Sequence, residues 1–372
     1  MTLFTIKGAG MEFSINKTTF SEALSLVTSV VPERSARAIM QNLMLTGNSD
    51  NTITLSATDL EIGLKITLDV QDMKDPVSVL LPGSRLNALI KGTYADEVHI
   101  SIVDNIAEIK TGKGRFQVPG ADILDYPSIP DFKPEGAVFI HGDDFVEAVQ
   151  KTVFATAKGD TRYALNGIYV SVNENGADFV ASDTHRLSLI KKKIRNPDNS
   201  VFDGIILTKG MTTLSRLASG SDIVEINITA NELQAKTANA SLIIRKVEGM
   251  FPRYNDVIPA KSDSCVVVDR EELMRGLHSI GLMTSDETKA VSFGVNEGFL
   301  EISASSENGE GTIRLDAETH GGAIDIKFNY TFLIDVLKNI GEDTVNIQYK
   351  DADNPARIDS GDFLYVIMPI NR

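Results

Sequence analysis

Three windows of this chain share one rhythm of apolar and polar positions. INKTTFSEAL at 15–24, IHGDDFVEAV at 140–149 and VDREELMRGL at 268–277 each carry an aliphatic residue, four mostly polar positions, a large apolar residue, and another apolar residue four further on. The anchors are Ile15, Ile140 and Val268, then Phe20, Phe145 and Leu273, then Leu24, Val149 and Leu277. Spacing of i, i+4 lays two side chains on one helical face, so each window predicts an amphipathic helix. Asn16 and Asp269 are N-cap types, and Glu272 stands where it completes a capping box with Asp269.

After each window comes alternation broken by Asn and Gly, beginning at 42, 166 and 290. Such alternation predicts antiparallel hairpins. Ala57, Ala181 and Ala304 hold one small position in them, about 124 residues apart. A second helical pattern follows, beginning at 80, 206 and 327, and each ends at a glycine suited to a left-handed cap: Gly92, Gly220 and Gly341. The strands 107–118, 233–244 and 356–367 then close the units with another hairpin. The reading is one module of about 120 residues written three times, each an α+β domain. The expected boundaries are an N-terminal extension at 1–10, which looks like a lead-in to a second start at Met11, then modules at 11–132, 133–256 and 257–372. Pro-rich stretches at 125–136 and 249–262 are expected to be linkers that pack against the modules.

Composition narrows the classes. The 372 residues are 42% hydrophobic and 23% charged, the balance of a globular chain with ample core material. The first ten residues lack the h-region and cleavage site of a signal peptide, and no apolar run is long enough to span a bilayer, so a cytoplasmic location without a membrane partner is expected. The single cysteine, Cys265, sits in a strand-like DSCVVVD and is expected to be inert. The five histidines lie outside HxxxH and HExxH spacing, and P-loop, GxSxG and GxGxxG patterns are absent, so neither a metal nor another cofactor is expected.

VASDTHRLSLI at 180–190 crowds Asp183, His185 and Arg186 together as a catalytic site would. The other modules have SATDLE and SASSEN at the same place. Asp59 and Asp183 recur, which favours a turn in which the carboxylate caps exposed amides. His185 and Arg186 belong to the second module alone, so they are candidates for function.

Net charge is −15, from 36 Lys and Arg against 51 Asp and Glu, which by itself argues against a nucleic-acid partner. A repeated module resolves the conflict if it closes into a ring, as one three-module chain or as two chains with six modules. With both helices of six modules facing inward, twelve helices at roughly 10 Å spacing enclose a bore of roughly 27 Å, enough for a duplex with a water layer. Sheets then form the outer wall and pair edge to edge across module boundaries, which covers their edges. Basic groups are needed only on the lumen.

TDLEI at 58–62, RYALNGIYV at 162–170, SDTHRLSL at 182–189, GMFPRYNDVIP at 249–259 and YVIMPI at 365–370, on top of the triple repeat, resemble the bacterial sliding clamps, the beta subunits of DNA polymerase III. The similarity runs from about residue 11 to 372. It implies three tandem clamp domains per chain, helices inside and antiparallel sheets outside, forming half of a six-domain ring made by a head-to-tail homodimer. The ring is a non-catalytic processivity factor that encircles double-stranded DNA without sequence specificity and is opened by a clamp loader. It tethers the replicative polymerase and other proteins that carry a short linear motif.

By the same resemblance, the motif would dock between the second and third domains. The cleft would include Leu165, Thr184, His185, Arg186, Leu187, Pro252, Val257, Val366, Met368, Pro369 and Ile370. His185 and Arg186 are expected to present donors at the rim of an apolar groove. DNA contact falls on Arg34, Arg85, Lys158, Arg162, Tyr163 and Lys209, and the dimer interface on Phe116, Val118, Leu282 and Met283. Departures from the family pattern are the Asn371–Arg372 tail, Asp256 where a basic residue is frequent, Ala164 in place of a second Tyr, and Gly159 in place of a polar side chain. Two rival readings remain at this point. One is a hydrolase built on Asp183 and His185; the other is a repeat scaffold that binds proteins but not DNA.

Overall fold

The computed structural model of the chain describes residues 10–159 and 163–370, with the side chain of Tyr163 outside that set. Helices α1 (Lys17–Thr28), α2 (Gly83–Lys91), α3 (Gly142–Val153), α4 (Thr208–Ala218), α5 (Arg270–Gly281) and α6 (Tyr330–Leu337) alternate with antiparallel hairpins. The windows that predicted helices are α1, α3 and α5, each 12 residues long. All nine anchors are buried, with exposures of 0–3%. Asn16 accepts hydrogen bonds from the amides of Thr18 and Thr19, and Asp269 from Glu272, so both predicted N-caps form. The glycine caps differ from expectation. Only Gly220 adopts the left-handed conformation, at φ +78°. At Gly92 the backbone stays helical at φ −76° and its amide returns to Ala88, so no left-handed residue is needed there.

Contacts group the chain into two compact units. One comprises the N-terminal part to Asp143 with Arg195–Ser200 and Lys209–Lys246; the other comprises Asp144–Ile194, Val201–Thr208 and the part from Val247 onward. The division runs through the middle repeat, because sheets continue across repeat boundaries.

The first unit contains a five-stranded sheet in the order 71–74, 11–16, 97–103, 106–111, 114–119. Its eight-stranded sheet runs 138–141, 223–228, 232–236, 240–245, 62–69, 52–58, 42–47, 78–82. Here Ala240–Arg245 of the middle repeat pairs with Ile62–Asp69 of the first, in the register Ile62↔Ile244 and Leu64↔Leu242. Helices α1 and α2 pack together, with Asn87 donating to Thr28 at 3.0 Å.

In the second unit the sheet has twelve strands, in the order 202–207, 167–173, 176–182, 186–192, 363–367, 356–360, 344–348, 265–269, 309–320, 299–306, 290–296, 324–329. Its boundary pair is Arg186–Lys192 with Phe363–Ile367, in the register Arg186↔Ile367 and Ser188↔Tyr365. Superposing Asp59 on Asp183 aligns Ile62 with Arg186 and Leu64 with Ser188, so the two joints share one register. Both Pro-rich linkers pack on their own joints, as expected. Lys133 donates its amide to Gln234 at 2.8 Å in the first. In the second, Phe251 stacks on Tyr169 with ring centroids 5.0 Å apart.

Candidate binding cleft

The turn that opened the question of catalysis is a repeated structural device. Asp183 Oδ1 accepts the amides of His185 and Arg186, at 3.0 and 3.1 Å. Asp59 Oδ1 does the same for Glu61 and Ile62, at 3.1 and 2.7 Å. Both turns carry a left-handed non-glycine residue, Thr184 at φ +77° and Leu60 at φ +76°. Asp183 therefore holds the backbone of His185, and its other oxygen takes Arg186 Nε at 2.9 Å. The His185 ring instead lies near Phe332, centroids 6.4 Å apart. A hydrolytic Asp–imidazole pair is not what this geometry builds.

Alternation along Arg186–Lys192 divides the side chains. Leu187 and Leu189 point to one face and form a buried cluster there with Val180 and Val366. Tyr169, Phe251, Tyr254, Ile258 and Leu364 pack against this cluster while keeping part of their surface open. Tyr169 donates to Asp203 at 2.8 Å and Tyr254 to Asp178 at 3.1 Å. Burial, with those carboxylates nearby, pushes both phenols up to about 12, so they remain protonated donors. At the rim, Val257 is 52% exposed and Met368 is 39% exposed. Pro252, Thr184 and His185 are exposed, Ile370 is half-buried, and Leu165 and Pro369 are buried. The Met368 amide donates to the His185 carbonyl at 2.8 Å, which ties the two walls together. The result is an apolar, partly aromatic surface with exposed side chains over a buried floor, a candidate cleft.

Arg186 departs from its expected place. It points to the opposite face, is 6% exposed, and presents nothing at the rim. Its guanidinium binds Asp183, Asp335 Oδ2 at 2.7 Å and the Phe154 carbonyl at 2.6 Å. It lies 4.3 Å from the Phe332 centroid. Burial works against its charge, but Tyr365 and the two carboxylates outweigh that effect and raise its pKa. The aromatic members Tyr169, Phe251 and Tyr254 were missed in the sequence. The signal for Phe251 and Tyr254 is the FPRY segment itself, which reads as a linker until its fold-back is seen, whereas Tyr169 sits in the alternating strand 167–173.

The first joint shows why one such cleft forms. Register places Met44, Ser56, Gly63, Lys65 and Ser241 where the second joint has Tyr169, Val180, Leu187, Leu189 and Leu364. A Cβ on Gly63 would meet Ile129 of the linker at 2.8 Å, so the linker fills that place, and Lys65 binds Asp131 at 2.6 Å. The equivalent face is therefore covered by the linker only at Gly63, and the rest of it is a cavity of about 580 Å³ with a largely polar lining that includes Ser56, Lys65, Asp131 and Ser241.

Of the other candidate residues, Arg34, Arg85 and Lys158 are exposed. Lys209 is the second residue of α4 and binds Asp59 at 2.6 Å. Arg162 and the Tyr163 side chain lie outside the described residues, as do residues 1–9 and the Asn371–Arg372 tail. Phe116 and Leu282 are 44% and 72% exposed. Val118, expected in an apolar contact, is 2% exposed, so its strand can offer backbone there but not that side chain. Among the described residues no cluster of His, Cys, Asp or Glu is arranged to hold a metal, and no helix is long and apolar enough to cross a membrane.

A triplicated α+β module whose sheets run through module boundaries, with a partly exposed apolar surface at one joint, defines a clamp-type protein. Three family models, described as the N-terminal, central and C-terminal domains of the DNA polymerase III beta subunit, match residues 11–130, 139–253 and 255–371. The beta sliding clamp of Pseudomonas aeruginosa is 28% identical over 366 residues, covering 97% of this chain and 100% of that protein. That of Vibrio cholerae is 26% identical over 368 residues, with the same 97% and 100% coverage. A solved P. aeruginosa DnaN sliding clamp, bound to griselimycin, superposes with a TM-score of 0.92 at 28% identity, over 98% of this chain and 100% of that one. The Thermotoga maritima beta subunit shares the fold, with a TM-score of 0.91 at 23% identity and coverage of 97% and 100%. The chain belongs to the DNA polymerase III beta subunit family, the sliding clamps, which are non-catalytic processivity factors of DNA replication.

Proposed function

We propose that two copies of this chain close head to tail into a six-module ring around duplex DNA, with modules at 11–132, 133–256 and 257–372. One observation carries this reading. At both internal joints the last strand of one module pairs with the fourth strand of the module before it, in one register. The last strand of the first module, Gly114–Pro119, pairs only on one side among the described strands. Residues 309–316 of the third module's corresponding strand pair only with 299–306. Applying the internal register to these two edges sets Phe116 of one copy opposite Gly311 of another, and Val118 opposite Gly309.

The exposures agree. Phe116 is 44% exposed, whereas its equivalents Leu242 and Tyr365 are 1% and 0% exposed. Leu282 corresponds to Phe154, whose ring lies 5.9 Å from Tyr365, so Leu282 would cover Phe116 across the closing joint. Met283 already lies beneath Gly309, 3.1 Å from where its Cβ would stand.

Such a ring holds DNA by topology. Arg34, Arg85, Lys158, Arg162, Tyr163 and Lys209 would add contacts to phosphate that read no sequence. The cleft would take short linear motifs of the replicative polymerase, the clamp loader and other partners, keeping them near the primer end at high effective concentration. A cytoplasmic location goes with this role. Retention on DNA is the test. After loading, the protein should stay on closed circles and leave linear fragments through their ends. Equal retention on both would favour the scaffold reading.

A further inference from the structure

We propose that Asp335 of α6 is a positioning residue for the cleft, acting through the buried Arg186 guanidinium to fix the Met368–Ile370 wall. The proposal rests on the reading of the cleft as a peptide site.

The first joint supplies an internal control. It reaches the same strand register with Ile62 where the second joint has Arg186. Ile62 is 1% exposed and needs no ionic partner. Pairing of the strands therefore does not require a guanidinium. A buried ion triad also carries a desolvation cost that an aliphatic side chain avoids. What distinguishes the second joint is the apolar, partly exposed surface on its other face; at the first joint Ile129 covers Gly63 and the remaining space is lined by polar side chains such as Ser56, Lys65 and Ser241.

The contacts describe how the clasp acts. Arg186 Nη1 meets Asp335 at 2.7 Å and Nη2 meets the Phe154 carbonyl at 2.6 Å, so the guanidinium bridges α6 and the end of α3. It lies over Phe332, one helical turn from Asp335, and the His185 ring also lies near Phe332. The His185 carbonyl in turn receives the Met368 amide at 2.8 Å. Tyr365, fully buried beneath the joint, donates to the Phe332 carbonyl at 3.0 Å. Asp335 thus sets Arg186 and Phe332, they set the 183–185 turn, and the turn holds the backbone of Met368. Asp335 is 37% exposed and is absent from the cleft surface, so its effect on a ligand is indirect.

The experiment uses the full chain and a fluorescein-labelled short peptide with leucine and phenylalanine anchors. Four proteins are compared: wild type, Leu187→Lys, Asp335→Asn, and the double variant Arg186→Ile/Asp335→Leu, which puts at 186 the residue type that Ile62 supplies in the first joint and removes the carboxylate left without its partner. Wild type should bind and Leu187→Lys should not. Asp335→Asn and the double variant should bind about tenfold more weakly, because a site held loosely loses affinity before it loses its fold. Hydrogen exchange at the Met368 amide should accelerate in both, with little change in the thermal midpoint. Asp335→Glu should restore most of the affinity. Peptide affinity and Met368 exchange that match wild type in Asp335→Asn would overturn the proposal. So would unfolding of the double variant, since the clasp would then be a requirement of the fold. Failure of wild type to bind, with Met368 exchange still accelerated by Asp335→Asn, would sink the cleft reading and leave the positioning role standing.

Discussion

Thr184 bears the clearest local strain at the cleft. It is β-branched, yet sits at φ +77°, a region that glycine occupies without cost. Its amide is held by the Ser182 hydroxyl at 3.1 Å, and the Asp183 carboxylate fastens the next two amides, so the turn is over-determined. We predict that Thr184→Gly raises stability by roughly 1 kcal/mol, the relief of strain outweighing the added freedom of the unfolded chain. Thermal denaturation checks this, and a lower midpoint would contradict it. Asp59 and Asp183 could be assigned to turns in the sequence because two copies existed to compare. The burial of Arg186 could not, since Asp335 and Phe154 reach it from far along the chain.

Among the elements, the edge strand Gly114–Pro119 and its neighbour Ile106–Thr111 carry a buried carboxylate. Glu108, 4% exposed, binds Arg115 and Lys110. Arg115 foremost, aided by Lys110, holds its carboxyl below the usual range against the opposing effect of burial. A folded-state pKa below the unfolded value means that this stabilisation is complete above the ordinary carboxylate pKa of about 4.3 and is lost as pH falls through the folded value. We predict that Glu108→Gln lowers stability at neutral pH and flattens the acid limb of the stability curve. Denaturant titration from neutral to acidic pH measures it, and an unchanged acid limb would refute the assignment. The second joint has its own ionic fastening at Lys192, 7% exposed, which binds Glu147 and, at 2.9 Å, Asp362. Leu68 stands at the matching place in the first joint, so the two joints share geometry without sharing chemistry.

For the whole molecule the contact to test is the proposed closing joint. Phe116 is an exposed aromatic at a place where both internal copies are buried, and the derived register sets it against Gly311, which leaves room for the ring over Ile280 and Met283. Phe116→Glu would place an unpaired charge in that socket. We predict that it weakens self-association by at least about 30-fold, equivalent to roughly 2 kcal/mol, while leaving the fold of each chain intact. Sedimentation equilibrium with circular dichroism reads both quantities. A dimer as tight as wild type would rule out this edge as the closing surface.

Repetition made much of this protein legible without coordinates. Nine anchors placed three helices, alternation placed the hairpins, and the small residue shared by the copies set the equivalences, all because local periodicity and self-similarity are written in neighbouring residues. What tertiary structure alone decided was which strand meets which across module boundaries and which side of each strand then faces outward. Those choices put Leu187 in an apolar floor and Arg186, its neighbour, in a buried ion cluster on the opposite face, and they set Ile129 against Gly63 at the first joint where the second has Leu187. They depend on contacts between residues distant in the chain, from 32 positions for Arg186 and Phe154 to 149 for Arg186 and Asp335, where burial and hydrogen bonding are settled by packing and no local pattern carries the information.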